Sequence, residues 1–103
     1  MPTLIKVAQV SAVPPGSSLL VEADGQFLAL FNVAGSFYAI DDACPHQGAS
    51  LSEGEVVRGC VVICPWHGWE FDVTNGKLLT PPGTLNTTTY RVVVEGDDVL
   101  VEL

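Results

Sequence analysis

Apolar residues in this chain come in short runs broken by Gly, Pro, Asn and Asp, and none keeps a helical period. Ile5–Val10 reads as a first extended run, ended by Ser11 to Ser18 with Pro14-Pro15-Gly16 inside it. Leu19–Glu22 and Gln26–Asn32 flank Ala23-Asp24-Gly25, a hairpin signal, and Ser36–Asp41 follows across Val33-Ala34-Gly35. At the other end, Tyr90–Glu95 and Val99–Leu103 bracket Gly96-Asp97-Asp98 as a hairpin with alternating faces. Between Asp42 and about Val73 the pattern changes, with several glycines and the apolar run Cys60–Cys64. Asn75-Gly76 marks a tight turn, and Thr80-Pro81-Pro82-Gly83 predicts a rigid loop, because proline cannot sit in a central strand. The expectation is all-β: an antiparallel sandwich or barrel of short strands, with residues 42–73 as a small inserted subdomain.

With 103 residues, 48% of them hydrophobic, the chain predicts one domain over 1–103 that needs no disulfide staples. Twelve acidic residues against four basic ones give a formal net charge of −8. Nucleic acid is an unsuitable partner, since Lys6, Arg58, Lys77 and Arg91 are scattered rather than clustered. The acidic surface suits a partner with a basic docking patch; solubility alone would explain it equally well. No run approaches the ~20 apolar residues that cross a bilayer, and the first residues lack the pattern of a secretion signal. These features predict a cytoplasmic protein without a membrane partner. Three cysteines cannot make a complete disulfide set, and Cys60, among apolar neighbours, reads as a small buried hydrophobe.

The remaining two cysteines carry the chemistry. Cys44-Pro45-His46 and Cys64-Pro65-Trp66-His67 each offer one thiolate and one imidazole within a few residues. Two soft sulfurs and two nitrogens suit zinc or an iron–sulfur cluster. A nucleophilic Cys–His pair would explain neither the duplication nor the spacing. Zinc fingers usually group their cysteines and their histidines, whereas here the order is interleaved, as in the mixed ligand set of a Rieske 2Fe–2S centre. A structural zinc module used for protein interaction remains the alternative. Pro45 and Pro65 stiffen each segment, and Gly48 and Gly68 allow sharp turns just beyond the histidines. Replacing two thiolates by neutral imidazoles removes negative charge from the cluster and makes it easier to reduce.

In these segments the chain resembles the Rieske proteins, and its length resembles their stand-alone ferredoxins. Cys44-Pro45-His46-Gln47-Gly48-Ala49 and Cys64-Pro65-Trp66-His67-Gly68-Trp69 match the two cluster loops, and Thr80-Pro81-Pro82-Gly83 is similar to the third, proline-bearing loop. The resemblance implies a Rieske fold and one 2Fe–2S cluster, with Cys44 and Cys64 on one iron and His46 and His67 on the other. It implies no catalysis by the chain alone. Electrons would come from an NAD(P)H-dependent flavoprotein reductase and pass to the terminal oxygenase of an aromatic dioxygenase system. A small Rieske-like subunit of an assimilatory nitrite reductase is the alternative partner setting. Rieske subunits of respiratory complexes carry an extra disulfide and two hydroxyls near the cluster; Ala49, Trp66, Trp69 and Phe71 stand at those positions here. That difference predicts a low-potential centre, about −150 mV. Trp66, Trp69 and Phe71 are expected to fill space beneath the cluster, and Asp41-Asp42 to form a solvated turn or a docking patch.

Overall fold

The computed structural model describes residues 3–45, 48–66, 68–80 and 86–103. Among these residues the chain forms three antiparallel sheets and no α-helix. The first sheet runs β1 (Leu4–Gln9), β11 (Asp98–Glu102), β10 (Val92–Glu95). In the second, β2 (Ser18–Ala23), β3 (Gln26–Val33), β4 (Ser36–Asp41) and β9 (Thr89–Tyr90) lie in that order. A third, smaller sheet is a meander of β5 (Glu55–Val57), β6 (Val61–Ile63), β7 (Glu70–Asp72) and β8 (Leu78–Thr80). The all-β expectation holds. The small sheet runs on to Thr80, past the Val73 limit read from the sequence.

Two-residue turns connect β2 to β3 and β3 to β4. Asp24 and Gly25 have φ of 52° and 80°, and Ala34 and Gly35 have 53° and 95°. Positive φ at both central residues matches the twist of the paired strands, which is why X-Gly pairs occur there. Ala34 accepts a left-handed backbone that its Cβ disfavours.

The second sheet packs an apolar core against each of its faces, and that decides the packing. Paired residues share a face and alternate residues change face. Ala29, Phe31 and Ile40 point toward the small sheet, joining Leu51, Val62, Phe71, Val73 and Leu78 in one core. Val21, Ala23, Leu28, Leu30 and Ala39 point the other way, onto Val99 and Val101 of the first sheet. Leu28, Ala29, Leu30 and Phe31 are therefore all fully buried, and β3 reads as an unbroken apolar run.

The expected strand over Tyr90–Glu95 is divided. Thr89–Tyr90 pairs with β4 and Val92–Glu95 with β11, so Arg91 is the corner at which the chain changes sheets. Its carbonyl still accepts a hydrogen bond from the Glu102 amide at 2.9 Å. The hydrophobic pattern is continuous through such a corner, which is why it reads as one strand.

Candidate metal centre

Cys44 and Cys64 occupy equivalent positions in two loops of the same length. The first loop is closed by the antiparallel bridge Ala43–Ser50, and the second by the pair Ile63–Glu70 at the end of the β6–β7 hairpin. In the first, the Cys44 amide donates to the Ala49 carbonyl at 2.8 Å and the Gly48 amide to the Cys44 carbonyl at 2.7 Å. In the second, the Cys64 amide donates to the Trp69 carbonyl at 2.7 Å and the Gly68 amide to the Cys64 carbonyl at 3.0 Å. Gly48 and Gly68 close the turns at φ of 78° and 74°, a region that glycine enters at little cost. The backbone frame is thus repeated, although the histidine stands one residue later in the second segment.

Both cysteines are buried, at 2% and 1% exposure, within the core that joins the second sheet to the small one. Pro45 and Pro65, the next residues, are exposed. The thiols therefore sit on the apolar floor of the two loops while the chain beyond them turns toward solvent. His46 and His67 lie outside the described residues, as do Pro81, Pro82 and Gly83. Thr80 pairs with Glu70, so the chain enters the proline-bearing segment beside the closing pair of the second loop. Beyond that segment, Asn86 accepts the Leu78 amide through its side chain at 2.9 Å, and the Thr87 amide donates to Gly76 at 2.9 Å. Thr80 on one side of residues 81–85, and Asn86 and Thr87 on the other, are thus bound to the small sheet or its β7–β8 turn.

Asp42 was expected in a solvated turn or docking patch, and the structure corrects this. The residue is 8% exposed, and its carboxylate accepts from the Ser50 hydroxyl at 2.7 Å and the Ser52 amide at 2.9 Å. Its own amide donates to the Phe27 carbonyl at 3.2 Å. One side chain thereby pins the exit of the first loop to its entrance, a constraint invisible in the motif itself. Asp41, half-buried, accepts from the Tyr90 hydroxyl at 2.6 Å.

The aromatic residues divide in the same way. Phe71 is fully buried beside the two cysteines, and Trp69 packs against the same core. Neither carries a hydroxyl. Trp66 departs from the expectation: it is 65% exposed, at the outer corner of the second loop. Cys60 lies at the opposite end of β6 from Cys64, in the Arg58–Cys60 turn, half-buried and in no disulfide. Burial, the Asp72 charge and a hydrogen bond to Asp72 push its thiol pKa up, with Arg58 opposing weakly. This cysteine stands apart from the other two by its place in the fold.

Two buried sulfurs on matching loops at one end of a three-sheet β-fold, with an imidazole in each segment, mark a small domain made to hold a redox metal centre. The donor set fits a 2Fe–2S cluster: soft sulfurs on the core side, and backbone loops tight enough to surround it. Residues 3–91 match the Rieske [2Fe-2S] domain, and the chain belongs to that family. Its cofactor is accordingly a Rieske-type 2Fe–2S cluster.

The chain is 44% identical over 100 residues to the biphenyl dioxygenase ferredoxin subunit of Pseudomonas sp. (strain KKS102), covering 97% of this chain and 92% of the relative. It is 43% identical over 99 residues to the 3-phenylpropionate/cinnamic acid dioxygenase ferredoxin subunit of Escherichia coli (strain K12), with 96% and 92% covered. Among solved structures, the ferredoxin of carbazole 1,9a-dioxygenase from Nocardioides aromaticivorans IC177 superposes with a TM-score of 0.89 at 32% identity, covering 96% of each chain. A complex of reduced oxygenase and oxidized ferredoxin in carbazole 1,9a-dioxygenase contains a similar chain, with a TM-score of 0.87, 37% identity, and 95% and 91% covered. No helix among the described residues is long and apolar enough to cross a membrane.

Proposed function

We propose that this protein is a one-electron carrier of an aromatic dioxygenase system, taking electrons from an NAD(P)H-dependent flavoprotein reductase and passing them to a terminal Rieske oxygenase. The observation that carries the reading is the repeated loop frame around Cys44 and Cys64 in a chain this similar, along nearly its whole length, to dioxygenase ferredoxin subunits. Cys44 and Cys64 would bind one iron, and His46 and His67 the other. When bound, the cluster supplies reversible one-electron redox chemistry at low potential.

The chain's own residues account for the rest. Phe71, Leu51 and Val62 exclude water from the sulfur side, which keeps the local dielectric low. The closing hydrogen bonds hold each loop in one arrangement, so little has to move when charge is gained or lost. Phe71 and Trp69, in place of hydroxyl-bearing residues, leave added negative charge less stabilised and the potential low. In this reading residues 42–73 are the ligand-bearing part of a single domain, and the protein works as a cytoplasmic monomer. It has no catalytic residue of its own.

The test is reconstitution. With the purified reductase, oxygenase and an aromatic substrate, NAD(P)H oxidation should couple to product only when this protein is added. Product formation at the same rate without it would overturn the assignment.

A further inference from the structure

Among the described residues, one part of the second sheet's small-sheet face is left uncovered. Leu20 pairs with Ala29 and Glu22 with Phe27, so these four side chains share the face that also carries Phe31. The 3-10 turn over Leu51–Glu53 packs against β2 and β3, held by a hydrogen bond from the Ser18 hydroxyl to the Ser52 carbonyl at 2.8 Å. Its cover stops short. Ala29 is fully buried, whereas Leu20 is 46% and Phe27 58% exposed.

Between these two side chains and the first thiol loop lies a groove of about 690 Å³, walled by Asp41, Ala43, Gly48 and Glu53. Its floor is apolar, its rim is acidic, and no Lys or Arg is among the described residues that line it. Lys6, Arg58 and Arg91 are paired with Asp98, Glu70 and Glu102 elsewhere. Gly48 belongs to the groove and to the loop that carries Cys44, so an occupant would touch the outer side of that loop.

We propose that this groove docks a redox protein presenting an apolar side chain ringed by Lys or Arg, which enters between Leu20 and Phe27 while its cations meet Asp41 and Glu53. Apolar anchors supply most of the affinity at such contacts, and rim charges set the approach and the orientation. A second copy of this chain is a poor occupant, because it would bring another acidic rim against the first. The proposal rests on the electron-carrier reading and adds a lateral contact surface to it.

The test uses the cluster-loaded protein and titration calorimetry against the purified terminal oxygenase and, separately, the purified reductase. Leu20→Ser with Phe27→Ser should weaken binding of one of these partners about tenfold or more. Glu53→Lys should weaken the same complex and flatten its salt dependence. Absorption spectrum and potential should remain those of the unaltered protein, which separates docking from damage to the cluster. Val94→Ser, at an equally exposed site on the first sheet, should change nothing. If the unaltered protein binds a partner and the groove variants bind it equally well, the groove proposal fails alone. Binding of neither partner by the unaltered protein defeats the electron-carrier reading and the proposal together. A dimer of the unaltered protein in sedimentation, dissolved by the groove changes, would assign the surface to self-association and overturn the proposal.

Discussion

The Asp42 carboxylate serves both Ser50 and Ser52 from a largely buried position, and the Ser50 hydroxyl also lies 2.9 Å from the Ser52 hydroxyl. Removing it strands the Ser52 amide at the exit of the first loop and leaves the Ser50 hydroxyl with the Ser52 hydroxyl alone. Asp42→Ala should therefore destabilise the protein by about 1–3 kcal/mol, while Asp42→Asn, which keeps an acceptor oxygen, should cost less. Iron and acid-labile sulfide per chain after mild heating would show the order: unaltered, then Asn, then Ala. The cysteines give a second contrast. Cys64→Ser should abolish the visible absorption of the cluster, whereas Cys60→Ala, at the far end of β6, should leave it intact. Equal loss in both would contradict the division of roles. Tyr90 gives a third. Burial and its hydrogen bond to Asp41 push its pKa up to about 12, against about 10 in an unfolded chain. The folded state thus favours the neutral phenol; that contribution is present below pH 10 and is lost as pH rises toward 12. Denaturant midpoints between pH 9 and pH 11.5 should fall more steeply for the unaltered protein than for Tyr90→Phe.

At the scale of elements, the glycine ahead of β5 is held by contact rather than by φ. A Cβ on Gly54 would run into the Ile63 carbonyl oxygen and the Val62 side chain, directly below the second thiol loop. Gly54→Ala should cost about 1–3 kcal/mol, since backbone on β6 cannot give way as a flexible side chain would. A thermal melt of the loaded protein, followed at the cluster absorption, reads that loss. Strands with tight X-Gly turns were legible from sequence: β2, β3 and β4 lie within one or two residues of their expected ends, because hairpin register is set locally. β5, β7 and β8 were not. Each has only three residues, too short for alternation to show, and their pairing is enforced by the loops they close.

For the molecule as a whole, the thiol loops were legible because ligand chemistry demands particular residue types at close spacing. What supports those loops was not. Asp42 looks like one more surface carboxylate until the fold brings Ser50 and Ser52 to it, and Trp66 looks like a core aromatic until its loop turns it outward. The central claim is that Cys44, His46, Cys64 and His67 hold one 2Fe–2S cluster. Electron paramagnetic resonance of the purified, dithionite-reduced protein tests it most directly. The account predicts a signal with average g below 2 and the shape of mixed His/Cys ligation, lost in Cys64→Ser. A colourless protein with one zinc per chain and no acid-labile sulfide would contradict it.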